Sequence, residues 1–131
     1  MAVLPARPPQ AIMVVEDDPD TRLAVGEYLK TVFPEVRILM SESGEAGLEL
    51  ARRTRPRVIV LDLRLRGIGG FEFATRLRDE GAESVAIVAL TGDMSPDTLM
   101  KAEAAGFKAF LRKPADMDRL EMVLRPLLQG D

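Results

Sequence analysis

Short apolar runs alternate along this chain with longer segments in which apolar residues recur at helical spacing. The runs are AIMVV (11–15), VRILM (36–40), VIVL (58–61), VAIVAL (85–90) and AFL (109–111). Runs this short and this apolar predict strands that are buried on both faces of a parallel sheet. The segments between them predict amphipathic helices. In the first of these, the apolar positions are Ala24, Val25, Tyr28, Leu29 and Val32.

Start and stop residues mark the predicted helices. Asp18 followed by Pro19 predicts an N-cap acid with proline at the first helical position. Ser43 and Ser95 are expected to begin the second and fourth helices, and Gly106 to end the fourth. The third and fifth helices are indicated by apolar residues at helical spacing, namely Phe73, Leu77, Leu120, Val123, Leu124 and Leu127.

This alternation predicts an α/β fold. Five strands with five intervening helices and right-handed crossovers give a doubly wound parallel sheet covered by helices on both faces. We expect one domain over residues 11–128, preceded by an extended tail at 1–10 that holds three of the chain's nine prolines. The fifth helix is expected to start near residue 115, and Pro126 to bend or fray its last turn.

Composition excludes several classes of function. The chain has 131 residues, no cysteine and no histidine, so thiol chemistry, Cys/His zinc sites and a Ser-His-Asp triad are excluded. A net charge of −3 argues against direct binding to nucleic acid or a membrane surface. The sequence shows neither the apolar core of a signal peptide nor the roughly 18 apolar residues of a membrane span. We therefore expect a cytoplasmic protein.

Polar side chains follow four of the predicted strands. Glu16 and Asp17 come after the first strand, Asp62 after the third, Thr91 after the fourth and Lys113 after the fifth. In an open parallel sheet, ligands bind beyond the carboxyl ends of the strands. Two carboxylates about 5 Å apart repel by about 3 kcal/mol at an effective dielectric near 20, so three clustered acids call for a cation. Mg²⁺ suits oxygen ligands of this kind.

The same strand ends carry a family resemblance. The chain resembles the receiver domain of two-component response regulators in VVEDD (14–18), VIVLDLRLRG (58–67), VALTG (88–92) and FLRKP (110–114). The four motifs occur in order, and the resemblance extends from residue 11 to about 128. It implies a flavodoxin-like (βα)₅ fold with sheet order 2-1-3-4-5.

The resemblance also implies a phosphoacceptor and a metal. Asp62 would accept a phosphoryl group from the phosphohistidine of a histidine kinase or histidine phosphotransfer protein. Asp17 and Asp62 would bind Mg²⁺ directly, Glu16 would bind it through water, and Arg64 would bind it through its main-chain carbonyl. Mn²⁺ could take the place of Mg²⁺. Because the chain has no histidine of its own, the donor must be another molecule.

Three further residues would couple phosphorylation to output. By resemblance, Lys113 would pair with the carboxylate and then with the phosphoryl oxygens, and Thr91 would donate its hydroxyl to the phosphoryl group. Phe110 would be the switch aromatic, and without a hydroxyl we expect its resting position to be inward already. Output is expected through a protein that binds the face of the fourth helix, fifth strand and fifth helix, because few residues remain for a DNA-binding domain after the last helix.

Two features depart from the family pattern. Residue 66 is arginine where the family often has proline, so we expect a more mobile loop after the third strand. Arg64 and Asp93 lie two residues past Asp62 and Thr91. We expect them to pair across the site and to slow loss of the phosphoryl group.

Other interpretations remain open at this level. The chain could be a free-standing regulator or part of a hybrid kinase or longer regulator. A Mg²⁺-dependent phosphohydrolase with an aspartyl nucleophile would need a second acid two residues after Asp62, where this chain has Arg64. A third interpretation is a scaffold that is never phosphorylated. We expect no turnover of an external substrate, and we interpret the arginines at 52, 53, 55 and 57 as a solvated surface.

Overall fold

The computed structural model describes residues 10–82 and 84–129, and in these ranges five strands alternate with five helices. The strands are β1 (Ala11–Val15), β2 (Arg37–Ser41), β3 (Val58–Asp62), β4 (Ala86–Thr91) and β5 (Ala109–Arg112). The helices are α1 (Pro19–Val32), α2 (Gly44–Thr54), α3 (Gly70–Asp79), α4 (Pro96–Ala104) and α5 (Met117–Gln129).

The five strands form one parallel sheet in the order β2-β1-β3-β4-β5, which confirms the predicted topology. The strand order reverses between β1 and β3, and the crevice at such a point is where ligands bind in folds of this kind. In the register of the sheet, Val15 lies opposite Leu61 and Asp62 lies opposite Leu90. The residues that follow β1 and β3 are therefore neighbours at one edge.

The core has two layers, one on each face of the sheet. On one face, residues such as Met13 and Ile59 pack against Phe73 and other residues of α2 and α3. On the other, residues such as Val14 and Val60 pack with the apolar residues of α1 and α5. Successive side chains of a strand point to opposite faces, so a strand covered on both sides must be apolar at every position. This is why the strands read as unbroken apolar runs.

The predicted helix caps are present. Asp18 accepts a hydrogen bond from the Thr21 N–H at 2.8 Å, and the Ser43 hydroxyl accepts one from the Ala46 N–H at 3.1 Å. Ser95 begins α4 in the same way. Each cap satisfies a backbone donor that has no partner inside its helix.

Several predicted boundaries are wrong by one or two residues. Strands β2 and β4 start and end one residue later than their apolar runs, β3 and β5 extend one residue further, and α5 begins at Met117. The reason is that backbone pairing, not hydrophobicity, ends a strand: Ser41 pairs with Val15, and Thr91 pairs with Arg112. Helix α3 begins at Gly70, without a side-chain cap at Gly69.

Hydrogen bonds hold Gln10, just before β1, and the last turn of α5 against the rest of the domain. Residues 1–9 of the predicted tail lie outside the described residues, but Gln10 accepts from the Arg37 N–H at 2.8 Å and donates to the Leu128 carbonyl at 2.9 Å. The Leu127 carbonyl accepts from Arg57 at 3.1 Å. These bonds satisfy carbonyls at the end of α5, which continues through Pro126 to Gln129. Within 10–82 and 84–129, no helix has the length and apolar character needed to cross a bilayer.

Candidate functional site

Three carboxylates meet at the carboxyl edge of β1 and β3. Glu16, Asp17 and Asp62 each offer an oxygen, and these oxygens lie within 4.8 Å of one another. Glu16 and Asp62 are almost fully buried, at 1% and 3% exposure, whereas Asp17 is partly exposed. The adjacency of β1 and β3 brings together acids that are far apart in the sequence.

Lys113 supplies the positive charge next to these acids. Its Nζ lies 2.6 Å from Glu16 Oε1 and 3.3 Å from Asp62 Oδ2. The backbone N–H of Lys113 donates to the Thr91 carbonyl at 2.8 Å, which holds the residue against the end of β4. A cis peptide bond joins it to Pro114. The structure thus places Lys113 beside the predicted phosphoacceptor.

Burial and charge shift the pKa values of this group in linked directions. Burial raises the pKa of Glu16, and the Lys113 ammonium and the Asp18 N–H offset part of that rise. Burial lowers the pKa of Lys113, but its contacts with Glu16 and Asp62 outweigh this and leave the pKa above its ordinary value. The ammonium therefore stays charged at neutral pH.

The acidic residues fit a divalent cation. Glu16 Oε1 is buried and, although it forms an ion pair with Lys113, it has no aligned hydrogen-bond donor among the described residues. A divalent cation bound among Glu16, Asp17 and Asp62 would have carboxylate oxygens as protein ligands, and Mg²⁺ suits such ligands and keeps several waters beside them. The Arg64 N–H donates to Asp62 Oδ1 at 3.0 Å, so the Arg64 main chain adjoins this carboxylate. Metal binding by its carbonyl stays a prediction.

Two arginines contact Glu16 and Asp17, and neither contact was predicted from the sequence. Arg22 donates from Nη1 to the Glu16 carbonyl at 2.9 Å. Side chains of a helix lean toward its N-terminus, so a residue in the first turns of α1 reaches back to the end of β1. The spacing of Arg22 from the N-cap Asp18 could have indicated this contact. Arg66 donates its N–H to Asp17 Oδ2 at 3.1 Å. A proline at position 66 has no N–H and could not make this bond.

Thr91 and Asp93 form a local turn at the end of β4. The Thr91 hydroxyl accepts from the Asp93 N–H at 2.9 Å and donates to the Asp93 carbonyl at 3.2 Å. Thr91 is 1% exposed. The Thr91 hydroxyl has one proton to donate, so donation to a phosphoryl group would require it to break its hydrogen bond to the Asp93 carbonyl.

The expected ion pair between Arg64 and Asp93 is not among those formed within residues 10–82 and 84–129, while the effect of these residues on loss of the phosphoryl group stays a prediction. The Asp93 carboxylate instead accepts from the Ser95 N–H at 2.9 Å and from the Thr98 hydroxyl at 2.7 Å. These donors lower the pKa of Asp93, and Arg64 contributes only a weaker charge effect. Local bonding at the start of α4 therefore occupies the carboxylate.

Phe110 lies on β5, opposite Ala89 of β4. It is partly buried and packs against the core layer that contains Ile59 and Phe73. The position of its ring after phosphorylation stays a prediction.

The family of the chain follows from comparison with known proteins. A family model described as the response regulator receiver domain matches residues 12–125. The chain belongs to this family. Receiver domains are signalling domains of two-component systems, not classical enzymes.

The relatives of this receiver differ in length. Protein PilH of Pseudomonas aeruginosa is 30% identical over 122 residues, which cover 91% of this chain and 98% of that protein. Response regulator GacA of Pseudomonas protegens is 31% identical, with 91% of this chain and 55% of that protein covered.

 A cyclic di-GMP phosphodiesterase of Thermotoga maritima is 28% identical, with 91% of this chain and 31% of that protein covered. The chain thus spans about 31% of one of these curated relatives, about half of another and nearly all of a third.

Solved structures agree with the fold. The signal receiver domain of a DNA-binding response regulator from Colwellia psychrerythraea superposes with a TM-score of 0.87 at 24% identity, covering 92% of this chain and 99% of that chain. The N-terminal domain of an uncharacterized protein from Wolinella succinogenes gives a TM-score of 0.84 at 28% identity, covering 92% and 94%. The first of these likenesses supports the fold alone.

Proposed function

We propose that this receiver is a phosphorylation switch in which Asp62 accepts a phosphoryl group from the phosphohistidine of a histidine kinase or histidine phosphotransfer protein. The observation that carries the proposal is the position of Asp62, which is buried at the end of β3 with Lys113 Nζ 3.3 Å from Oδ2. Two further carboxylates offer oxygens within 4.8 Å of an Asp62 oxygen, and such a cluster suits a divalent cation. We assign residues 11–128 to the receiver domain and expect it to act in the cytoplasm.

The transfer exchanges one bond to phosphorus for another. An oxygen of Asp62 forms a bond to phosphorus while the bond from phosphorus to the donor's imidazole nitrogen breaks, and its electron pair returns to that nitrogen. Lys113 holds the carboxylate and is placed to hold the phosphoryl oxygens, and the Arg64 N–H fixes Asp62 Oδ1. Mg²⁺, when bound by Glu16, Asp17 and Asp62, would neutralise charge on the transferring group.

Output is proposed to pass through a protein partner. Thr91 and Phe110 lie on neighbouring strands β4 and β5, so a change at the Thr91 hydroxyl can be transmitted to the β5 surface. Met100 on α4 is 69% exposed and Met122 on α5 is 74% exposed. Exposed methionines suit adaptable protein contacts. We therefore propose the face formed by α4, β5 and α5 as the partner-binding surface, with no direct contact to nucleic acid.

The phosphohydrolase interpretation receives no support from the site. That reaction needs an acid two residues after the nucleophile to protonate the leaving group, and Arg64 occupies this position. Arginine stays protonated in proteins and cannot exchange a proton in this way. The scaffold interpretation leaves the buried cluster of Glu16, Asp62 and Lys113 without a role.

Acetyl phosphate and Mg²⁺ followed by intact mass spectrometry test the proposal. We expect one phosphoryl adduct in the wild type, and none in Asp62→Asn or when Mg²⁺ is chelated. Asp18→Asn is the matched control, because Asp18 caps α1 and asparagine caps equally well, so its adduct should persist. An adduct that survives in Asp62→Asn, or sustained release of phosphate from varied phosphomonoesters, would refute the proposal.

A further inference from the structure

Arg66 contacts one oxygen of Asp17 in two ways. Its backbone N–H lies 3.1 Å from Asp17 Oδ2, and its guanidinium Nε lies 3.5 Å from the same atom. The Arg66 side chain is 88% exposed, whereas the Asp17 side chain is 19% exposed. The guanidinium therefore lies on the solvent side of a carboxylate that faces the acidic cluster.

We propose that Arg66 is a positioning residue that holds Asp17 and competes with the divalent cation for it, which weakens metal binding. This inference rests on the proposed metal-dependent function. A cation at Asp17 Oδ2 must displace the guanidinium or share the oxygen with it, and it meets the repulsion of a second positive charge in either case. Arg66 would thus set the Mg²⁺ concentration at which the site fills.

The loop geometry allows the guanidinium to be tested separately from the backbone. The loop between β3 and α3 is also held at Ile68, whose N–H lies 3.4 Å from Glu45 Oε1. Arg66→Ala keeps the backbone N–H that bonds to Asp17 and removes only the charge. Arg66→Lys keeps the charge.

Calorimetric titration of the full chain with Mg²⁺ at low ionic strength measures the effect. Exposed ion pairs are weak, so we expect Arg66→Ala to tighten the Kd by about two- to fivefold and Arg66→Lys to stay within about twofold of the wild type. Arg53→Ala, which removes an exposed arginine of α2, is the control and should leave the Kd unchanged. The gain in Arg66→Ala should shrink at high salt, because exposed charges are screened.

The outcomes separate this inference from the proposed function. A wild-type Kd in Arg66→Ala, equal tightening in Arg53→Ala, or tightening in Arg66→Lys as large as in Arg66→Ala would overturn the role of the Arg66 charge while leaving the metal site intact. If the folded wild type gives no binding signal with Mg²⁺, the metal site and this inference both fail. Binding heat does not depend on phosphorylation.

Discussion

Replacing Lys113 with methionine is expected to destabilise the metal-free protein by about 2–4 kcal/mol at pH 7.5. At an effective dielectric near 20, the ammonium attracts unit charges at 2.6 and 3.3 Å by about 6 and 5 kcal/mol, before desolvation is subtracted. Desolvation offsets much of this attraction, and removing one partner of a buried pair costs about 3–5 kcal/mol. The Lys113 side chain is 26% exposed, so we expect a loss of stability toward the lower end of this range. Methionine retains most of the apolar stem.

The loss should depend on pH in a defined direction. The pKa of Glu16 is raised in the folded protein, and removing the ammonium raises it further. The folded variant then binds more protons than the unfolded chain at pH values above the ordinary pKa of glutamate, so its stability rises as the pH falls. The difference between the variant and the wild type should therefore be smaller at pH 5 than at pH 7.5.

Urea unfolding followed by circular dichroism, with a chelator present, measures both effects. Lys30→Met is the matched control, because Lys30 forms an exposed ion pair with Glu27 and should contribute no measurable stability. A loss below about 0.5 kcal/mol for Lys113→Met at pH 7.5, which is the ordinary scatter of surface substitutions, would refute the reasoning. A loss that grows toward pH 5 would refute it as well.

Two further predictions concern other parts of the domain. Burial and the hydrogen bond to Glu121 raise the pKa of Tyr28 to about 12. Because the chain has one tyrosine and no tryptophan, tyrosinate absorbance should report the midpoint of this ionisation directly. A midpoint near 10 in the native protein would contradict the prediction. Since the unfolded chain ionises first, stability should fall as the pH rises above 10. Gly70→Ala places a Cβ 2.8 Å from Leu63 Cα and should cost about 1–3 kcal/mol in thermal unfolding. Gly69→Ala, with its nearest neighbour 3.9 Å away, is the control, and equal losses would count against the packing argument.

The fold was largely predictable because its signals are local and repeated. Apolar runs marked every strand, and Asp18, Ser43 and Ser95 marked helix starts that the structure confirms. The boundaries were less predictable, because pairing across the sheet decides where a strand ends. Thr91 and Ser41 are polar and ended the apolar runs, yet both pair with neighbouring strands.

The site was predictable in its members but not in its contacts. Asp62 ends β3, Glu16 and Lys113 directly follow β1 and β5, and parallel strands bring such residues to one edge. The contact between Arg66 and Asp17 had no sequence signal, because it joins two loops through a backbone N–H. The pairing expected for Asp93 is not formed within the described residues, because nearby donors at the start of α4 bind its carboxylate first.

The sequence by itself determined the order of elements, the two-sided burial of the strands and the set of acids, hydroxyl and ammonium at their ends. These features follow from the periodicity of side chains, which residues close in the sequence determine. They also follow from the common direction of parallel strands, which brings the strand ends to one edge of the sheet. Only the tertiary structure decided that Lys113 lies closer to Glu16 than to Asp62 and that Arg66 reaches Asp17. Such contacts depend on ångström-scale packing between elements distant in sequence, which no local pattern specifies.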